Sequence, residues 1–99
     1  MFLPFTPVGT TKNLTASTTS SRVALPAMTD SRTLRVYNAT GVVVFIEFGT
    51  VTVEAAAATS LPLGPGATEF LEIGPGVTYV AGITASGGGT VYFTEGKGS

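Results

Sequence analysis

The chain has 99 residues, which is enough for one domain with a single core. Cysteine and histidine are both absent, which excludes a disulfide framework, thiolate or imidazole metal sites, and the commonest general base. Six acidic and five basic residues give a net charge of −1, spread along the chain, which argues against the basic surface that nucleic-acid binding needs.

The surface is expected to carry few charges. Charged residues make up 11 % of the chain and the mean hydropathy is +0.42, whereas about 25 % is usual for a soluble domain. Sparse charge lowers the repulsion that keeps proteins monomeric. We therefore expect partners to cover part of the surface, through a homo-oligomer that is a trimer in preference to a dimer. An uncharged, hydroxyl-rich surface is the alternative.

A membrane location is not predicted. The longest strongly apolar run, residues 42–46, is far shorter than the roughly 20 residues of a spanning helix. Residues 1–4 have no basic segment and soon meet prolines, so we expect no secretory signal peptide. The protein is expected to act where it is made, or to be carried outward within an assembly.

Residues 1–11 differ from the rest of the chain and are predicted to be an extended N-terminal arm. Pro4, Pro7 and Gly9 exclude a helix. The arm carries four apolar side chains, which are the candidate partner-binding residues: Phe2, Leu3, Phe5 and Val8. The segment is either a first strand on the domain's own core, an arm that docks on a neighbouring subunit, or a disordered tail.

Residues 12–99 form the predicted β domain, because apolar and polar residues alternate with a period close to two. Residues 51–54 should form a hairpin with 42–48, and 55–58 are a connection too short for a helix. Two Gly-Pro-Gly segments, 64–66 and 74–76, suit type II turns, and 95–99 is a polar tail. The pattern predicts an all-β sandwich or barrel. The strands are expected at 13–17, 22–25, 33–38, 42–48, 51–54, 68–73, 77–84 and 90–94.

Alternation also predicts which side chains face the core. In the central strand Ile46 points inward and Glu47 outward. The inward residues are expected to be Leu34, Val36, Val44, Ile46, Phe48, Leu71, Ile73, Val77, Tyr79, Ala81, Ile83, Val91 and Phe93.

No catalytic or metal-binding constellation can be assembled, so we expect a protein that is not an enzyme and needs no cofactor. Glu69 and Glu72 should point to opposite faces of a strand, and the hydroxyl-rich stretches lack a base to activate them. The chain has three tyrosines, Tyr37, Tyr79 and Tyr92, which suit cross-strand packing pairs or, alternatively, a stacking platform for sugars or bases. Asn13 and Asn38 begin glycosylation sequons, a pattern that recurs by chance in Thr-rich chains.

The run RVYNATGVVVFIEFGTVTVEAA, followed by GATEFLEIGPGVTYVAGITASGGGTVYFTEG, resembles small structural proteins of tailed bacteriophages. The resemblance covers most of residues 33–96. Such proteins are often capsid decoration, or cement, proteins with jelly-roll-like sandwiches. It implies a homo-oligomer on the outer surface of the virion, bound to the major capsid protein and reinforcing contacts between capsid subunits.

Two other functions fit the same sequence features. A tail, baseplate or head-fibre component would share the low charge and the sandwich. A carbohydrate-binding module would show exposed aromatic side chains on one face, although the chain has no tryptophan.

Overall fold

The structure, a computed structural model, describes residues 6–7, 11–25, 32–74 and 76–97. All regular structure in this part of the chain is β-strand. The nine strands are β1 (Thr6–Pro7), β2 (Lys12–Ala16), β3 (Ser21–Ala24), β4 (Arg32–Asn38), β5 (Val44–Gly49), β6 (Leu61–Leu63), β7 (Thr68–Ile73), β8 (Tyr79–Thr84) and β9 (Gly89–Lys97).

The strands form two antiparallel sheets packed face to face, and the all-β prediction is confirmed. Sheet 1 has the order β1-β9-β4-β7, with β2 also paired to β9, and sheet 2 has the order β3-β8-β5-β6. Consecutive strands therefore often lie in different sheets. The connections β2–β3, β4–β5 and β8–β9 all cross from one sheet to the other.

The strands β1 and β2 share one edge of β9. Pro7 lies opposite Gly96, and Lys12 lies opposite Phe93. Four residues separate Pro7 from Lys12, whereas two residues separate Phe93 from Gly96 on β9. Within the predicted arm, the described residues Thr6 and Pro7 pair with a strand of their own chain.

The core lies between the two sheets, and most of the predicted inward residues occupy it. Ile46 and Val44 are buried, Phe48 packs against them, and Glu47 points to the outer face, as predicted. The largest fully buried side chain is Phe93 of β9. The buried core cluster comprises Leu14, Ala16, Leu25, Leu34, Val36, Val44, Ile46, Leu63, Ile73, Val80, Val91 and Phe93.

The predicted register of β8 is wrong by one residue. Val80 lies opposite Phe48 and Gly82 opposite Ile46, so Val80 and Gly82 face the core, whereas Tyr79, Ala81 and Ile83 face outward. A Cβ atom on Gly82 would lie 3.0 Å from Cδ2 of Leu14 in the facing sheet. The missing side chain lets the two sheets approach at this point, and simple alternation of apolar residues does not reveal it.

The predicted strand 51–54 is wrong, because the chain turns directly after β5. The amide of Val53 donates to the oxygen of Thr50 (2.9 Å), and the Val53 side chain packs against Gly49. The strand that pairs with β5 on this side is β6 instead. Alternation did not predict β6 because Pro62 interrupts it. Since β6 is an edge strand, its proline removes no ladder hydrogen bond.

Residues 50–60 form a strap across the outer face of sheet 2. The amide of Ala55 donates to Oγ of Ser20, at the start of β3 (2.9 Å). Ser60 Oγ donates to Oε1 of Glu47 on β5 (2.9 Å) and accepts from the amide of Ala56 (2.9 Å). The strap is thus fixed on both sides of β8, which accounts for the complete burial of the outward-facing Ala81.

The predicted polar tail is partly wrong. Strand β9 continues to Lys97, and Glu95 is buried opposite Leu34 of β4. The first Gly-Pro-Gly turn is confirmed, since Gly66 has a φ of 74° and Ala67 donates to the oxygen of Gly64 (3.0 Å). The amide of Val77 closes the second turn onto Gly74 (3.3 Å).

Candidate binding surface

The four predicted partner-binding residues, Phe2, Leu3, Phe5 and Val8, lie outside the described residues. Their docking on a neighbouring subunit stays a prediction. The structure instead presents two other surfaces that can be built up from described residues, one on the outer face of sheet 1 and one at an edge of sheet 2.

An aromatic stack stands on the outer face of sheet 1. Tyr37 of β4 lies directly opposite Tyr92 of β9, and their rings stack with centroids 6.4 Å apart and planes 16° from parallel. The guanidinium of Arg35 lies 5.8 Å from the centroid of the Tyr37 ring. A cation over an aromatic face is an attractive contact. The predicted cross-strand tyrosine pair is confirmed for these two rings, whereas Tyr79 lies in sheet 2.

The β2–β9 face, defined by Thr11, Asn13, Thr15, Thr90, Tyr92 and Thr94, continues this surface toward the edge of sheet 1. Asn13 lies directly opposite Tyr92, and Thr15 lies opposite Thr90. On the other side of the ring, Oγ1 of Thr11 and Oγ1 of Thr94 are hydrogen-bonded at 2.9 Å. The face therefore combines one aromatic ring, 38 % exposed, with neutral hydrogen-bonding side chains.

The β5–β6 edge, defined by Val43, Leu61 and Pro62, is the second surface. All three side chains are exposed, and Leu61 is 46 % exposed. Pro62 lies opposite Phe45, which is half-buried on the outer face of sheet 2. Because the proline cannot donate a ladder hydrogen bond, this edge does not accept a further regular strand and offers apolar side chains instead.

The two sequon asparagines have opposite environments. Asn38 is fully buried, and its Nδ2 lies within 3.0 Å of the oxygens of Val42, Leu63 and Gly64. Its Oδ1 accepts from the amide of Thr40 (2.9 Å). Every polar atom of this side chain is thus engaged, and the residue is structural. Asn13 is exposed on β2.

The acidic side chains of the described residues lie on several elements, and Glu95 of β9 is the buried one among them. Glu69 and Glu72 lie three residues apart on the edge strand β7, so they point to opposite faces of sheet 1. Glu47 accepts a hydrogen bond from Ser60, and Glu54 is exposed on the strap. In the same residues no group of three acidic, histidine or cysteine side chains could hold a metal ion. The described part of the chain also contains no helix long and apolar enough to cross a membrane.

The sequence pattern predicts part of the outer face of sheet 1. Alternation puts Arg35 outward on β4, and the cross-strand pair was anticipated for the tyrosines. The opposition of Asn13 and Tyr92 was missed, because β2 and β9 are distant in sequence and their pairing depends on the whole topology. No sequence signal identified the β5–β6 edge. Comparison of the chain with protein-family models, with curated proteins and with solved structures finds no match.

Proposed function

We propose that the protein is a non-enzymatic structural component of a virion, with a jelly-roll-like fold, that decorates and reinforces the outer surface of a bacteriophage capsid. The strand orders β2-β9-β4-β7 and β3-β8-β5-β6 support the jelly-roll interpretation, because they follow from winding eight strands as two Greek keys over two sheets. Folds of this type occur in viral capsid and lectin domains. Fold alone does not assign a function, so the surface carries the rest of the proposal.

The observation that carries the proposal is the apolar β5–β6 edge on a chain with few charges. Val43, Leu61 and Pro62 are all exposed at this edge, with Pro62 beside Phe45 on the outer face of sheet 2 and Leu61 beside Ile46 on the opposite face. Apolar side chains left exposed on both faces of a sheet edge favour contact with another protein. With 11 % charged residues, the remaining surface provides little repulsion against an assembly.

The partner in this proposal is the major capsid protein, with the chain bound as a homo-oligomer on its outer surface. The resemblance of residues 33–96 to phage structural proteins supports this choice of partner. The apolar arm residues Phe2, Leu3, Phe5 and Val8 supply a second attachment. A tail, baseplate or head-fibre role uses the same features with a different partner.

Co-sedimentation tests the proposal directly. Capsids and tails purified from the phage that encodes the chain are mixed separately with the full-length protein, and the bound fraction is measured after sedimentation. Saturable binding to capsids is the expected result. Binding to tails alone would favour the tail alternative, and binding to neither would contradict a virion role.

A substitution then locates the surface. Leu61→Ser removes an exposed apolar side chain from the β5–β6 edge, so we expect about tenfold weaker capsid binding, as for an anchor residue. Thr68→Ser, an exposed polar substitution on β7 of sheet 1, is the matched control and should leave binding unchanged. Equal binding by both variants would remove the edge from the interface.

A further inference from the structure

We propose that the β2–β9 face is a binding site for a neutral saccharide, with Tyr92 as the stacking platform. This activity is separate from capsid attachment, since the β2–β9 face lies on sheet 1 and the β5–β6 edge on sheet 2. Three features support it: the ring, the neutral polar groups around it, and the six residues of the face, none of which is charged.

The ring of Tyr92 is partly exposed, at 38 %, and is held by a neighbouring ring. Tyr37 stacks against it from the β4 side, and Arg35 lies over the Tyr37 ring. On the other neighbouring strand, β2, the residue directly opposite Tyr92 is the exposed Asn13. A ring fixed by its neighbours loses little conformational freedom when a ligand packs on it, so the site is preorganised.

The polar groups surround that side of the ring at the spacing of a sheet. Asn13 lies across from the ring, the Thr11–Thr94 pair on one side of it, and Thr15 opposite Thr90 on the other. Successive outward residues on a strand are about 6.6–6.8 Å apart, so the hydroxyls lie within reach of a single sugar ring. The amide and the hydroxyls both donate and accept, as sugar hydroxyls do.

The chemistry of the face selects this ligand class. A pyranose has C–H groups that pack on an aromatic ring and hydroxyls that bond to the groups around it. A phosphate or carboxylate ligand would need a cation beside the ring; none of the six residues carries one, and the guanidinium of Arg35, opposite Thr94 on β4, lies over the Tyr37 ring. A protein interface would combine its aromatic anchors with a largely apolar centre, whereas five of the six side chains here are hydroxyls or an amide.

Affinity electrophoresis of the full-length protein tests the site. Native gels contain dextran, galactomannan, hydroxyethylcellulose or a neutral bacterial O-polysaccharide, and mobility is compared with a gel that lacks polysaccharide. We expect retardation in at least one gel, with a dissociation constant raised about tenfold or more by Tyr92→Ala. Tyr92→Phe keeps the ring and should retain most of the retardation.

Two further variants keep the result interpretable. Asn13→Ala removes the amide from an exposed position and should also weaken binding, even if Tyr92→Ala proves unstable. Val51→Ala alters an exposed apolar residue beyond β5 and should bind as the wild type does. The proposal is overturned if no gel retards the wild type, or if Tyr92→Ala and Asn13→Ala, with unfolding midpoints near that of the wild type, bind equally well. Capsid co-sedimentation is measured separately, so either proposal can fail alone.

Discussion

Nδ2 of Asn38 donates a hydrogen bond of 2.9 Å to the main-chain oxygen of Leu63, which joins the last residue of β4 in sheet 1 to the last residue of β6 in sheet 2. The same amide reaches the oxygens of Val42 and Gly64, and the main-chain oxygen of Asn38 accepts from the amide of Gly66 (2.9 Å). This one side chain therefore satisfies main-chain groups of two connections, β4–β5 and β6–β7, and of the last residue of β6. Its burial is favourable only because each polar atom has a partner.

Asn38→Ala should lower the free energy of unfolding by about 2–4 kcal/mol, because several buried carbonyl and amide groups lose their partner. Asn38→Asp should be at least as harmful, since a carboxylate cannot donate to the three oxygens. Chemical denaturation monitored by circular dichroism measures both. The control is Asn13→Ala, which should change stability by less than about 0.5 kcal/mol. Equal effects at both positions would show that Asn38 does not hold the sheets together.

Ile46→Ala should cost about 2–5 kcal/mol, because it removes a fully buried side chain from the middle of the core. Its neighbour Glu47 is half-buried on the outer face, where it accepts from Ser60. Glu47→Ala should therefore cost about 0.5–1.5 kcal/mol, the typical contribution of one such hydrogen bond. Urea denaturation of the two variants compares them, and equal midpoints would contradict the register of β5.

Gly88→Ala should destabilise the domain by about 1–3 kcal/mol or more, because its new methyl group would overlap the main-chain oxygen of Ala16. A backbone atom cannot move aside as a flexible side chain can. Gly41→Ala is the matched control, since no atom lies within 4 Å of the added carbon. Thermal unfolding should show a large drop for the first variant and a small change for the second. Similar melting temperatures would contradict the close approach of the two connections.

Deletion of residues 1–5 should leave a folded domain that binds capsids less tightly than the full chain. The deletion spares Thr6 and Pro7, whose pairing with β9 belongs to the fold. Burial of Phe2, Leu3 and Phe5 would each contribute roughly 1.5–3 kcal/mol before the costs of ordering. Co-sedimentation of the truncated protein measures the loss. Unchanged binding would contradict the arm hypothesis, and failure to fold would mean that the segment completes the domain's own sheet.

The free protein should self-associate as a trimer, because its few charges provide little electrostatic repulsion between copies. Sedimentation equilibrium at micromolar concentration should give a mass of about 30 kDa, three times the 10.0 kDa of the chain. A mass of two chains would support self-association but contradict the trimer. A single 10.0 kDa species would contradict self-association in solution.

Local pattern predicted much of this fold, and its failures have local physical causes. The alternation was sufficient for the core positions Val44 and Ile46 of β5 and Val91 and Phe93 of β9, whereas the buried Glu95 at the end of β9 departs from it. In β8 the inward position 82 is a glycine and the outward Ala81 is covered by the strap, so alternation pointed to the wrong face. The glycine lies within β8, but the approach of Leu14 to it and the strap over Ala81 come from distant parts of the sequence.

The candidate surface was harder to predict than the fold. The β2–β9 face depends on the pairing of β2 with β9, and the β5–β6 edge depends on the position of β6. Both pairings join parts of the chain that are distant in sequence. Asn38 begins a sequon, but its structural role depends on Leu63 and Gly64, which are 25 and 26 residues away in the sequence. Side chains that serve the backbone in this way leave no periodic signal.

The pairing of Thr6 with Lys97 has a practical consequence for engineering. Residues opposite one another in an antiparallel pair have Cα atoms about 4.5–5.5 Å apart, so the two ends of the folded domain lie side by side. Domains with adjacent ends tolerate circular permutation. A short linker could lead from Lys97 to Thr6, and new termini could be opened between the exposed residues 57 and 58, at the cost of the turn that the oxygen of Ala56 closes with the amides of Thr59 and Ser60. Such a permutant would present a fused protein on the outer face of sheet 2, and β1 and β2 would still pair with β9.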